Sequence, residues 1–197
     1  MIKCFDFVFS LVGLVILFPF FLLLALLIKL TSKGPVFFKQ TRVGKDGKDF
    51  KVYKFRTMYA DADKRGLLTV GGKDARVTEM GYYLRKFKLD ELPQLINVVK
   101  GEMSIVGPRP EVRRYVEMYS EEQLKALKVL PGITDYASIE YRNENDLLAD
   151  AINPEEFYVK EIMPKKIELN FKYINNRSIA EYFKLIARTV ISSIRGK

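Results

Sequence analysis

From Phe7 to Ile28 the chain runs through 22 residues without a charge, and Ser10 is the one ordinary polar side chain among them. Wound as a helix, such a run reaches ~33 Å, enough to cross the hydrocarbon core of a bilayer. A cleaved signal peptide fits less well. The run is long for an apolar h-region, and no small-x-small cleavage site precedes Lys29. Pro19 sits near the middle, where it removes a backbone hydrogen bond and crowds the preceding turn. Lys3 lies on one flank, and Lys29, Lys33 and Lys39 lie on the other. A crossing helix would send one basic flank outward, whereas a re-entrant hairpin broken at Pro19 keeps both inside. Membrane helices also tolerate proline, so a tilted, kinked crossing helix stands beside the hairpin as an equal alternative.

The remainder is basic. Lys and Arg number 33 against 24 Asp and Glu, for a net charge of +9 and a pI of about 9.5. That balance favours an anionic partner: a nucleotide ligand, an acidic membrane surface or a nucleic acid. Basic residues interleaved with aromatics suit a nucleic acid, but a membrane tether argues against one, and none is expected. There is no histidine, and Cys4 is the single cysteine. A disulfide framework and a Cys/His metal centre are therefore excluded. Cys4 reads as a lipid-facing thiol or an acylation site. Gly71-Gly72 is too little for a Walker loop or a dinucleotide fingerprint. If the chain is an enzyme, carboxylates carry its acid–base or nucleophilic chemistry. A hard cation such as Mg²⁺ remains compatible with them.

The pattern predicts an α+β fold in two parts, a membrane segment over residues 1–33 and a cytosolic domain over residues 34–197. Val36-Phe37-Phe38 and Phe50 to Phe55 read as two antiparallel strands joined through Gly44 to Lys48, where Asp46-Gly47 marks a turn. Lys51, Lys54 and Arg56 would project together from the second strand, as a substrate-binding or simply solvated face. Ala60 to Gly72 reads as a loop, a candidate lid. Helices are expected over Thr78–Phe87, from Asp90 to Lys100, through most of Glu111–Val129, over Pro154–Ile162 and over Ser178–Ile194. The last carries Ile179, Phe183, Ile186, Val190 and Ile194 on one side. That side could rest on lipid or on the core.

Asp90 and Glu91 open the second of these helices, with Arg85 upstream and the loop Gly107-Pro108-Arg109-Pro110 downstream. Asp90 as N-cap would sit at the positive end of a helix dipole, which suits an anion and welcomes phosphate. The bland alternative is a helix cap with an acidic first turn.

The run from Lys88 to Pro110, 23 residues of mixed chemistry, closely resembles the signature of the bacterial sugar transferases, the monotopic polyprenyl-phosphate phosphoglycosyl transferases. Tyr53 to Met58, Thr31 to Phe38 and Arg42-Val43-Gly44 match the same family, so the likeness covers nearly the whole chain. It implies transfer of a phospho-sugar from a UDP-sugar to polyprenyl phosphate, with release of UMP and with Mg²⁺, through a covalent aspartyl phospho-sugar. Such a step begins assembly of exopolysaccharide, capsule, O-antigen or another glycoconjugate. It implies a monotopic enzyme at the cytoplasmic face of the bacterial inner membrane, with a re-entrant helix broken at Pro19 and amphipathic helices at the lipid interface. A homodimer is compatible with it. The resemblance makes Asp90 and Glu91 catalytic and metal-binding, and Arg85, Pro108 and Arg109 phosphate-binding. Lys54 and Arg56 lie in a matching segment. Arg142-Asn143 matches a pair tied to the nucleotide-sugar pocket. The chain departs in having Phe18-Pro19 for the usual Ser-Pro, and Asp135, Ser138 and Tyr141 where Gly, Gln and Gly are common. Without the further N-terminal membrane helices of longer members, it looks like a minimal form.

Overall fold

The computed structural model describes residues 1–60, 62 and 74–195, the last three by backbone alone. The expected lid between Ala60 and Gly72 falls almost wholly outside the described residues.

The apolar run belongs to one helix, α1 (Ile2–Thr31), which stays helical through Pro19. The break expected at that proline is therefore not seen. Proline costs one hydrogen bond, and the helix continues on both sides of it. Only a stripe of α1 is covered. Phe21, Leu24 and Ile28 pack with Phe55 and Leu84, while Val15 and Ile16 keep 69% and 70% of their surface. A helix that is apolar all round but buried along one stripe leaves a large greasy face without a protein partner.

Both ends of α1 are tied to the same body. Near its start, Asp6 is buried and accepts three hydrogen bonds, from Ser104 Oγ at 2.8 Å, Ile105 N–H at 2.9 Å and Tyr182 O–H at 2.9 Å. At its end, the buried Arg56 donates through Nη2 to the Ser32 carbonyl at 2.7 Å, Ser32 Oγ at 2.8 Å and the Ile28 carbonyl at 3.3 Å. Between them, Gly13 faces Leu95, and Leu14, Leu17 and Phe20 pack beside Leu84.

The hairpin forms as expected. Strand β1 (Phe37–Val43) pairs antiparallel with β2 (Asp49–Phe55), in a register running from Phe37↔Phe55 to Val43↔Asp49. Asp46 and Gly47 take positive φ of 55° and 74°, the conformation an Asp-Gly pair adopts at least cost. Helix α2 (Glu79–Lys86) is capped by Thr78, whose hydroxyl accepts from Gly81 N–H at 2.9 Å.

The next helix departs from expectation. Lys88 turns left-handed with φ 55°, Leu89–Glu91 form a single 3₁₀ turn, and α3 begins only at Gln94 (Gln94–Val99). Asp90 is thus not an N-cap. The chain spends Leu89 and Leu92 on packing under α1, and the backbone bends to allow it. Asn97, fully buried on α3, accepts from Tyr53 N–H at 3.0 Å and donates to the Lys51 carbonyl at 2.8 Å. That side chain locks α3 against β2 and sets the distance between their flanking residues.

A second, parallel pair was not foreseen: β3 (Ser104–Val106) with β4 (Gly132–Thr134). Beyond it, Gly107 and Gly132 touch so closely that a Cβ on Gly132 would lie 2.1 Å from Gly107 N. The Pro108-Arg109 loop springs from this junction. The long helix expected over Glu111–Val129 is instead α4 (Arg113–Val116), α5 (Glu121–Leu124) and a 3₁₀ turn. Ser120 and Gln123 form a capping box that starts a new helix and so ends the old one. Short helices α6 (Tyr136–Glu140), α7 (Glu144–Ala149) and α8 (Pro154–Phe157) follow. A π turn then leads into α9 (Met163–Asn175), well past the expected end at Ile162. Helix α10 (Ile179–Arg195) buries Tyr182 and Leu185 against β3 and leaves Phe183, Val190 and Ile191 exposed. It serves the core with one stripe and offers an apolar row outward with another.

Candidate active site

Glu91 lies at the end of the 3₁₀ turn and is held from two sides. Lys54 of β2 reaches Oε1 at 2.8 Å. Arg109 reaches Oε2 through Nη1 at 3.0 Å and Oε1 through Nη2, a bidentate pair. Asp90, the residue before, is 8% exposed and makes no hydrogen bond with any described residue. Arg85, in the last turn of α2, donates through Nε to Thr57 Oγ1 at 2.9 Å and makes further contacts. Lys54, Arg85 and Arg109 thus surround two carboxylates with an excess of positive charge.

Their titration follows from this arrangement. Burial raises the Asp90 pKa, and the neighbouring Glu91 raises it further; Lys54 and Arg85 offset only part of this. Burial acts on Glu91 in the same sense, but Arg109 and then Lys54 overcome it and hold that carboxyl well below the ordinary range. Burial lowers the Lys54 pKa against the pull of Glu91. Glu91 is the main cause of the raised Arg109 pKa. Two adjacent carboxylates are driven apart: one is a fixed counter-ion, the other a bare group of raised basicity.

Arg109 is buttressed from behind. Its backbone N–H donates to Asp135 Oδ2 at 3.2 Å, and Asp135 also caps α6 by accepting from Ser138 N–H at 2.6 Å. Arg42 donates to the Pro110 carbonyl at 3.2 Å and to Glu111 Oε1 at 3.0 Å. Glu111 in turn accepts from Tyr158 O–H. Glu111 carries no mark in the linear pattern, and Asp135 stands out there only as a departure from the family; the packing shows the use of both.

Of the residues singled out from sequence, Lys54, Arg85, Asp90, Glu91, Pro108 and Arg109 meet in or beside this cluster. Arg56 does not. Its guanidinium lies under the end of α1, because β2 ends at Phe55 and the chain turns there. Lys51 is exposed, so the three basic side chains of that strand do not act together. Arg142 donates to Ser192 Oγ on α10 at 2.8 Å, and no hydrogen bond or ion pair joins it to Glu91.

Among the described residues no cluster of three or more metal-ligating side chains exists. Magnesium is commonly held by one or two carboxylates together with substrate phosphates. Asp90 has free oxygens for that purpose, whereas both oxygens of Glu91 are engaged by cations. The residues present therefore suit a hard cation that arrives with a phosphorylated substrate, with Asp90 as its protein ligand.

The sequence profile of the bacterial sugar transferases matches residues 1–196. The chain belongs to that family. One relative, the UDP-glucose:undecaprenyl-phosphate glucose-1-phosphate transferase of Escherichia coli (strain K12), is 39% identical over 98% of this chain. The UDP-N-acetylgalactosamine-undecaprenyl-phosphate N-acetylgalactosaminephosphotransferase of Aeromonas hydrophila is 36% identical over 97% of it. The chain spans only 40% and 43% of the length of those two proteins. The exopolysaccharide production protein PSS of Rhizobium leguminosarum bv. phaseoli is 40% identical, with 99% of this chain and 96% of that protein aligned. The matched stretch includes the segment that carries Asp90, Glu91 and Arg109.

Proposed function

We propose that the protein transfers a sugar-1-phosphate from a UDP-sugar to a polyprenyl phosphate such as undecaprenyl phosphate, and that Asp90 is the nucleophile. The observation that carries this is the contrast between neighbours: Glu91 is clamped by Lys54 and Arg109, while Asp90 is buried, takes no hydrogen bond from any described residue and is of raised basicity. A carboxylate attacking a diphosphate must overcome repulsion between anions. The cations around it do that work, and Arg85 and Arg109 face the substrate phosphates. A bound Mg²⁺, held by Asp90 and the phosphates, would neutralise further charge on the diphosphate.

In the first step an Asp90 oxygen bonds to the β-phosphorus, and the bond from that phosphorus to the bridging oxygen breaks. UMP leaves with that oxygen and its electron pair. In the second step an oxygen of the lipid phosphate bonds to the same phosphorus, and the Asp90 carboxylate departs. Neither displacement moves a proton, which suits a chain without histidine. The fixed role of Glu91 is to hold Lys54 and Arg109 in place.

The membrane arrangement follows the same logic. Asp6 and Arg56 tie the two ends of α1 to one body, and Leu14, Leu17 and Phe20 pack on it between them. A helix crossing the bilayer would drag α2, α3 and the charged cluster into hydrocarbon. That packing supports a monotopic enzyme lying on the cytoplasmic face of the bacterial membrane, with the greasy side of α1 and the outer row of α10 in lipid.

The test is a UDP-sugar panel without acceptor. The wild type should release at most one equivalent of UMP and carry a phospho-sugar mass on the Asp90 peptide. Asp90→Asn should do neither. If Asp90→Asn turns over normally, Asp90 is not the nucleophile. If no UDP-sugar yields UMP, the transfer reading fails altogether.

A further inference from the structure

Arg109 is held at both of its ends by carboxylates. Its guanidinium meets Glu91, through Nη1 to Oε2 at 3.0 Å and through Nη2 to Oε1. Its backbone N–H donates to Asp135 Oδ2 at 3.2 Å. Asp135 is wholly buried, at 0% exposure, and its other oxygen accepts from Ser138 N–H at 2.6 Å in the first turn of α6. The stretch between Gly107 and Glu111 has few ways to be held. Pro108 and Pro110 carry no N–H, so Arg109 has the single backbone donor between those two ends. On one side Gly107 N–H donates to the Thr134 carbonyl at 3.0 Å, and the Pro108 carbonyl accepts from Gly132 N–H at 2.8 Å. On the other side the Pro110 carbonyl accepts from Arg42 at 3.2 Å. Asp135 ties the residue between them, the one that carries the charge.

A helix cap does not account for this. Capping takes one acceptor atom, as Ser120 and Asn153 show on α5 and α8. Asp135 caps α6 with Oδ1 and turns Oδ2 on Arg109. Five N–H bonds radiate from a planar guanidinium, and Glu91 takes two of them. The direction of the other three depends on where the backbone and the clamped edge are both fixed. A small shift of the backbone would turn them away from a bound phosphate. Glu91 leads the raised pKa of Arg109, and Glu144 and Asp135 add to it, so the group stays cationic.

We propose that Asp135 is a positioning residue for the transfer: by holding the Arg109 backbone, it sets where the guanidinium meets the diphosphate of the donor. The inference rests on the proposed reading, in which Arg109 faces the substrate phosphates, and adds to it the residue that aims Arg109.

The experiment measures UDP binding with Mg²⁺ by the full chain in detergent, in the wild type, Asp135→Asn, Arg109→Met and the double variant. Asparagine keeps one oxygen for the α6 cap and loses the second acceptor. Asp135→Asn should raise the Kd for UDP about tenfold, because Arg109 N–H loses its partner and the loop shifts. Arg109→Met should raise it at least as much, and adding Asp135→Asn to Arg109→Met should change it less than twofold. A merely structural Asp135 would lower the fraction of protein that binds, not the Kd of that fraction. An unchanged Kd in Asp135→Asn overturns the proposal, and so does an equal loss with and without Arg109. Should Asp135→Asn fail to fold, Asp135→Ser, a good cap with a single oxygen, takes its place with the same expected values. If neither folds, Asp135 serves folding and the proposal falls. If Arg109→Met weakens UDP but Asp135→Asn does not, only the positioning role falls. If Arg109→Met binds UDP as the wild type does, the phosphate contact in the proposed reading falls, and the role of Asp135 with it.

Discussion

Arg109 grips Glu91 through both terminal nitrogens, Nη1 to Oε2 at 3.0 Å and Nη2 to Oε1. Lys54 closes the same carboxylate from β2. A planar guanidinium meeting a carboxylate edge to edge is fixed in both distance and plane, which a lysine at that position would not ensure. The consequence reaches the neighbouring residue. Asp90 has no hydrogen bond from any described residue and lies beside cations whose charge is already aimed.

Glu91→Gln keeps the shape of this clamp and removes its charge. Lys54 and Arg109 then lose their common anchor, and the phosphates lose their alignment. A fall in kcat/KM of roughly 10²–10³ is expected, the scale of losing one preorganised electrostatic contact. Asp90→Asn should fall further, to background. Turnover with a UDP-sugar and lipid acceptor checks both; a Glu91→Gln enzyme within threefold of wild type would remove the clamp from the mechanism.

The pH dependence has two opposite signs. Attack needs Asp90 ionised, and its pKa is raised, so the acid limb of kcat/KM should lie above that of an ordinary aspartate. Arg85→Met removes a cation that opposes the rise, and should move the limb to still higher pH. For stability, the raised Asp90 pKa means that the folded state favours the protonated acid. That contribution is present below the unfolded pKa and is lost as pH rises through the folded value. Asp90→Asn should therefore melt higher than wild type at neutral pH; a gain of about 1 kcal/mol would show as roughly 2–4 °C in a chain of this size. Glu91, with its lowered pKa, works the other way. Its contribution is present above the unfolded carboxyl pKa and is lost as pH falls through the folded one. Melting curves of wild type and Asp90→Asn across acid to neutral pH would test both signs.

Asp6 offers a separate test of how α1 is held. Asp6→Ala leaves Ser104 Oγ, Ile105 N–H and Tyr182 O–H without their acceptor in a buried place. A loss of about 2–4 kcal/mol is expected, against about 1 kcal/mol for Tyr182→Phe, which removes one donor only. Thermal unfolding in detergent would rank the two. Equal effects would mean that the three bonds do not act as one latch.

What was legible in the sequence was local. The Asp46-Gly47 turn and the helix over Thr78–Phe87 each announce themselves within a few residues. The Asp90-Glu91 pair was visible too, although its setting was not. A leucine-rich helix start and a 3₁₀ turn pinned under another helix look alike in one dimension, and packing of Leu89 and Leu92 chose between them. Asp6 escaped notice for the same reason. Beside an apolar run it reads as a flank charge, and its partner Tyr182 lies 176 positions away. The β3–β4 pair has only three residues in each strand, too few for any periodicity to declare it. Arg56 shares a strand alternation with Lys54, and nothing in that alternation says that β2 ends one residue earlier.

Arg56 is buried and pairs with no carboxylate among the described residues, and burial lowers its pKa. Its Nη2 satisfies carbonyls that the end of α1 leaves free, so its charge sits at the negative end of the helix dipole. Gly34 makes room for it. With φ of 127°, Gly34 approaches so closely that an added Cβ would lie 2.1 Å from Arg56 Nη1. Gly34→Ala should cost about 2–3 kcal/mol, from the backbone conformation and from the clash together. Arg56→Met should cost a similar amount by leaving the α1 carbonyls unpaired. In the double variant the clash is relieved and only the backbone cost of the alanine remains, so the two losses should sum to less than their parts by about 1 kcal/mol or more. Unfolding of the four proteins in one detergent measures that coupling. Strict additivity would mean that Gly34 answers to its own backbone alone and that Arg56 reaches the end of α1 without its help.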